Sequence, residues 1–163
     1  MAFKTLDRIL VSAALLFFVY SCGGSGDGSN SGLSRTEEVG NTGPEIDINA
    51  PSQNKGIGKF TSVSLEPLNQ EMADKGKAVF SIQCATCHTL GSDRLIGPGL
   101  KGITEKRSPE WILNIITNPE ENLKKDPLGK ALLEEYKAVM PYQGITEEGA
   151  RQILEFLRSN DAG

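Results

Sequence analysis

Cys84-Ala85-Thr86-Cys87-His88 places two thiols and an imidazole within one short run of chain. Cysteines separated by two residues lie on one side of a helical turn, where each thiol can add across one vinyl group of a porphyrin. The next residue then points its imidazole at the porphyrin's metal. The pattern is the attachment signature of a covalently bound haem, with Cys84 and Cys87 as thioether donors and His88 as an axial iron ligand. His88 is the single histidine in 163 residues, so no other imidazole can take that role.

Two other uses of the motif fit less well. A redox dithiol would open a helix inside a strand-helix-strand unit, and no strands are readable here. Structural zinc needs four nitrogen or sulfur ligands, whereas this region offers two cysteines and one histidine, with Cys22 far away in the chain.

Four helices and no strand are expected to position the motif. The first runs about Asn69 to Ser81, where Met72, Ala73, Gly76, Val79 and Phe80 recur at the spacing of one buried face. Ser108 is an N-cap residue followed by Pro109 in the first turn of a second, which passes through Trp111, Ile112, Ile115 and Ile116 and stops at Pro119. Asp126-Pro127 repeats that start for a third, through Leu132, Leu133 and Tyr136. Thr146 opens a fourth, with Glu147 and Glu148 where the helix dipole favours negative charge and Ile153, Phe156 and Leu157 facing inward. With aromatics at only 6% the core is thin, while ordering the backbone costs about 1 to 2 kcal/mol per residue. A haem, flat and apolar on both faces, would fill the middle.

From Leu68 to Asn160 the chain resembles the class I cytochrome c family. Gly76 and Phe80 match the family's first helix, where the glycine allows close crossing with the last helix, and Phe156 matches the aromatic of that last helix. Ile96-Gly97-Pro98-Gly99-Leu100 resembles the loop in which the Pro98 carbonyl would accept a hydrogen bond from the proximal imidazole and Leu100 would cover a haem face. Met140-Pro141 resembles the distal ligand loop. The resemblance implies a small all-α domain, four helices around one covalently bound haem c, and electron transfer rather than catalysis.

Of the three methionines, Met1 belongs to the leader and Met72 to the first helix. Met140 follows the third helix, 52 residues after His88, before a proline that fixes the local backbone, and is expected as the sixth iron ligand. Trp111 is either a donor to a haem propionate or the core anchor of the second helix. The pairs Lys106-Arg107, Lys124-Lys125 and Glu134-Glu135 are read as solvated faces. A haem sensor or a peroxidase is the competing function. It needs an open or displaceable sixth position, and a peroxidase also needs a distal acid-base group that no second histidine supplies.

The N-terminus reads as an export leader, residues 1-21, with Lys4 and Arg8 ahead of the apolar run Ile9 to Tyr20. That run falls short of the roughly 20 residues a membrane span needs. Ser21-Cys22-Gly23 resembles a bacterial lipoprotein processing site, which implies acylation of Cys22. Residues 22-67, rich in Gly, Ser and Asn, read as a flexible tether ahead of a domain at 68-163. The full chain carries net charge −4, and loss of Lys4, Asp7 and Arg8 with the leader makes it −5. No basic stripe for nucleic acid exists. The expected protein is an exported monomer, lipid-anchored on the periplasmic side of a bacterial membrane, whose partners are redox proteins. Residues Arg107 to Leu157 also look like small cytochromes associated with denitrification and terminal oxidases.

Overall fold

The computed structural model describes residues 45–163. The leader, Cys22 and the tether up to residue 44 lie outside the described residues.

Six helices, two more than expected, form the described part: α1 (Gln70–Gln83), α2 (Ile103–Lys106), α3 (Pro109–Thr117), α4 (Pro119–Lys125), α5 (Pro127–Tyr136) and α6 (Glu147–Ala162). The four expected starts are all capped by side chains. Asn69 accepts from the Met72 amide at 3.0 Å, Ser108 from Trp111 at 3.1 Å, Asp126 from Gly129 at 3.0 Å and Thr146 from Gly149 at 3.1 Å. The additions have clear causes. Pro119 was expected only to stop α3, yet a proline also suits the first turn of a helix, and it opens α4. The one-turn α2 is held from a distance, because Asp161 near the end of α6 accepts from the amides of Gly102 and Thr104 at 2.8 and 2.9 Å. Among the described residues there is no strand, only an isolated bridge between Ser52 and Arg107.

Helices α1 and α6 cross at contact distance. A Cβ on Gly76 would lie 1.9 Å from the Gln152 carbonyl oxygen, so only glycine lets the two backbones meet there. One turn on, the rings of Phe80 and Phe156 pack with centroids 5.4 Å apart and planes tilted by 56°. Met72, expected on the buried face of α1, is only half-buried, and Ala73, Gly76 and Phe80 fill that face instead. Ala150, Ile153, Leu154 and Leu157 of α6 complete the core against Ile112 and Leu113 of α3.

Residues 45–67 are not the free tether expected of their composition. Ile48, Phe60 and Val63 pack on the core, and the segment forms a strap held by buried side chains, Asn122, Asn114 and Glu110 among them. Asn122 accepts from the Ile57 amide and donates to the Ile57 carbonyl, both at 2.8 Å. Asn114 accepts from Phe60 at 3.1 Å and donates to the carbonyls of Lys55 and Phe60, both at 2.9 Å. Glu110 accepts from Val63 at 3.0 Å. Side-chain amides and a carboxylate thus satisfy the strap's backbone in place of a sheet partner.

Candidate functional site

The haem-binding motif continues directly from α1. The Cys84 amide closes the last helical turn on the Phe80 carbonyl at 2.8 Å, and the amides of Cys87 and His88 both donate to the Cys84 carbonyl, at 3.0 and 2.9 Å. This tight turn leaves both half-buried thiols free and in the wall of one cavity. Burial pushes the Cys84 thiol up to about 11, with the neighbouring Cys87 adding to the effect. A dithiol built for exchange has a lowered thiol pKa, so the surroundings of Cys84 argue against that use.

The loop after the motif folds back on it. The Gly97 amide donates to the Cys87 carbonyl and the Leu100 amide to the Thr89 carbonyl, both at 2.9 Å. Nδ1 of His88 lies 2.9 Å from the Pro98 carbonyl oxygen. A carbonyl can only accept, so Nδ1 carries the proton and Nε2 keeps the lone pair that a metal requires. Burial lowers the His88 pKa and so favours the neutral ring, an effect that the Pro98 bond opposes. The imidazole lies so close over Gly97 that a Cβ there would stand 2.6 Å from Cε1.

All seven expected cofactor residues, Cys84, Cys87, His88, Pro98, Leu100, Trp111 and Met140, line this one cavity of about 270 Å³. Its walls are chiefly apolar, with Phe80, Ile112, Ile116, Leu132 and Leu157 among them. Met140 reaches it from the loop after α5, whereas Met72 does not line it. Paired thiols at the end of a helix, an imidazole with a free Nε2, a thioether on a separate loop and largely apolar walls fit a covalently held haem. Among the described residues, no three His, Cys, Asp or Glu side chains gather in a metal-binding group.

Trp111 takes the second of its two readings, the core anchor, and Arg107 differs from expectation. Trp111, 5% exposed, donates its indole N–H to Asp126 at 2.9 Å, so that N–H is committed to a carboxylate of the protein rather than to a propionate. Arg107, expected on a solvated face, is also 5% exposed and lines the cavity. Its guanidinium donates to the carbonyls of Ile48, Ala50 and Lys106, and its Nε has no partner among the described residues. Burial lowers its pKa, opposed by Asp47 and Asp126 at longer range. A buried cation whose hydrogen bonds end only on carbonyls suits a cavity that receives the anionic propionates of a haem. Its place immediately before the Ser108-Pro109 helix start, where the chain turns inward, was the available sequence signal. Lys124 and Lys125 do lie on an exposed face, paired with Glu120 and Glu121.

A family model described as cytochrome c matches residues 73–161, more than half of the chain. The chain belongs to the cytochrome c family. Members of that family are haem-based electron carriers, and membership implies one covalently bound haem c, attached here through Cys84 and Cys87. A cytochrome c-553-like protein of Synechocystis sp. is 35% identical over 68 residues, which are 39% of this chain and 65% of that relative. The match therefore spans slightly less than two thirds of the relative's length. The solved cytochrome c from Rhodothermus marinus is 36% identical with a TM-score of 0.62, over 64% of this chain and 90% of that one. An engineered form of the Rhodothermus marinus protein, bound to a carbene intermediate, is 36% identical with a TM-score of 0.60, over 65% and 92% of the two chains. These structures share the small all-α fold found here.

Proposed function

We propose that the protein is a membrane-tethered carrier of single electrons, with Met140 as the sixth ligand of its haem iron. The observation that carries this reading is the convergence of Cys84, Cys87, His88 and Met140 on one apolar cavity. When bound, the haem takes up and returns one electron at its iron. The chain's own residues do the rest. Cys84 and Cys87 hold the porphyrin, the Pro98 carbonyl fixes the His88 ring, and the apolar walls keep water away. The Met140 thioether, as the iron's sixth ligand, would raise the potential and close the iron to small molecules.

A peroxidase would place an acid-base group at the iron's open position, and a sensor would leave that position free or displaceable. His88 is the chain's single histidine and is engaged with Pro98, and the distal loop contributes Ala138, Val139, Met140, Pro141 and Gln143 to the wall. These residues favour the carrier.

Acylation of Cys22 would hold the domain at the outer face of a bacterial membrane, and the residues between Cys22 and the strap would let it reach a partner. Among the described residues no helix is long and apolar enough to cross a membrane. A periplasmic or membrane redox enzyme, such as a denitrification reductase or terminal oxidase, is the partner class. The test is twofold. Acid and organic extraction should leave the haem on the denatured polypeptide, and redox titration should show one reversible single-electron step. Cys22→Ser should release the protein from the membrane fraction or leave it unprocessed. Haem recovered in the organic phase, or mature wild type that needs no detergent, would overturn the attachment or the anchor respectively.

A further inference from the structure

Ala138, Val139, Met140, Pro141 and Gln143 of the loop 138–145 line the cavity, and the loop makes no backbone–backbone hydrogen bond among the described residues. The loop is flanked by Lys137, whose φ of 52° ends α5, and contains Gly144 at φ 68°. Val139 and Tyr142 are 66% and 55% exposed. A segment with so little backbone bonding opens at low free energy, well before the domain unfolds. Something must hold its base.

Arg94 is placed to do so. It belongs to the segment between His88 and Pro98, on the proximal side. Its Nη2 donates to the Tyr136 carbonyl at 2.9 Å, 42 residues along the chain. Its Nη1 lies 3.8 Å from Glu135 Oε1, and its guanidinium carbon stands 4.7 Å from the centre of the Tyr136 ring. Tyr136 is the last residue of α5, just before the loop, and also lines the haem cavity. An exposed ion pair at that distance contributes little. The charge-assisted bond to a helix-terminal carbonyl and the cation over the ring carry more.

We propose that Arg94 is a positioning residue, a latch that joins the proximal segment to the base of the distal loop and thereby keeps Met140 on the iron. This rests on Met140 being the sixth ligand. The latch sets how often the loop opens and so how fast an outside ligand reaches the iron.

The test uses the ferric holoprotein with imidazole as the entering ligand. Binding to wild type should reach a limiting rate set by loop opening. Arg94→Gln should raise that limit roughly tenfold, the scale of one charge-assisted hydrogen bond. Arg94→Lys, which keeps the charge but not the planar stack, should fall between the two. Lys75→Gln, which removes an exposed ion pair on α1, should change nothing. The thermal midpoint of Arg94→Gln should fall only by what the loss of that single bond explains, since the bond is absent from the opened and the unfolded states alike. A rate within about twofold of wild type, or an equal acceleration in Asn114→Ala, which loosens the strap and leaves Arg94 in place, overturns the latch. If wild type itself lacks the charge-transfer band of methionine-ligated ferric haem, the ligation reading falls and takes the latch with it. That band present in wild type, with no effect of Arg94→Gln, sinks the latch alone.

Discussion

The indole N–H of Trp111 and the Asp126 carboxylate, 2.9 Å apart, tie the haem cavity to the N-terminal strap. Trp111 forms part of the cavity wall. Asp126, 2% exposed, also accepts from the Gly129 amide at the start of α5 and from the Asn54 side chain of the strap. One carboxylate thus joins the strap, the wall and the helix that leads to Met140.

Trp111→Phe keeps one aromatic ring but loses the pyrrole ring of the indole and leaves Asp126 one donor short, the lost bond alone costing about 1 to 3 kcal/mol. Because the N–H is committed to Asp126, the reduction potential should stay close to that of wild type. Asp126→Ala leaves three donors without their acceptor and should cost more, on the order of 3 kcal/mol or above. Chemical denaturation and redox titration of the two variants separate these effects. A large potential shift in Trp111→Phe with stability intact would return the tryptophan to a direct role at the haem.

Gly76→Ala forces a methyl group into the Gln152 backbone of α6, which cannot give way as a side chain could. Loss of at least about 3 kcal/mol, or failure to accumulate holoprotein, is the expected outcome. Gly91→Ala is the control, since the nearest atom to its added Cβ is 4.0 Å away. Thermal unfolding of the two variants followed at the haem absorbance checks the contrast.

The parts of the fold and site legible in sequence were those whose signals are local. Ser108-Pro109, Asp126-Pro127 and Thr146 mark helix starts through their own side chains, and the thiols and imidazole of the motif are neighbours in the chain. What escaped is held over long separations. The cap of α2 comes from Asp161, 57 and 59 residues away, and the strap is captured by Asn114 and Asn122, 54 to 65 residues further on. A polar segment with scattered Ile reads as disorder unless the buried amides that receive it are known. Arg107 was misread for the same reason, since the carbonyls of Ile48 and Ala50 that draw it inward belong to that strap.

If buried amides are what order the strap, Asn114→Ala should free it. Asn114 is 1% exposed and makes three bonds to Lys55 and Phe60, so their loss should cost about 2 to 4 kcal/mol. Protease cleavage between residues 54 and 63 should appear in the variant at concentrations that leave those bonds intact in wild type. Asn118→Ala removes one strap bond, to the Ile57 carbonyl at 3.1 Å, and should expose those bonds less. Equal cleavage of wild type and Asn114→Ala would show that the strap is held by its apolar contacts through Phe60 and Val63 instead.

Met140 and Met72 offer the sharpest division, because both are half-buried and only one lines the cavity. A thioether ligand favours ferrous haem and occupies the sixth site, so reduced wild type should bind carbon monoxide slowly or not at all. Met140→Ala should lower the reduction potential substantially and admit carbon monoxide rapidly. Met72→Ala should do neither. Its half-buried position on α1 places its cost below the 2 to 5 kcal/mol of a fully buried methionine, at about 1 to 2 kcal/mol. Redox titration and carbon monoxide mixing on the two variants and wild type decide the matter. Fast, stoichiometric carbon monoxide binding by folded wild type at neutral pH would remove Met140 as a fixed ligand and favour the sensor, since a carrier gains nothing from an iron left open.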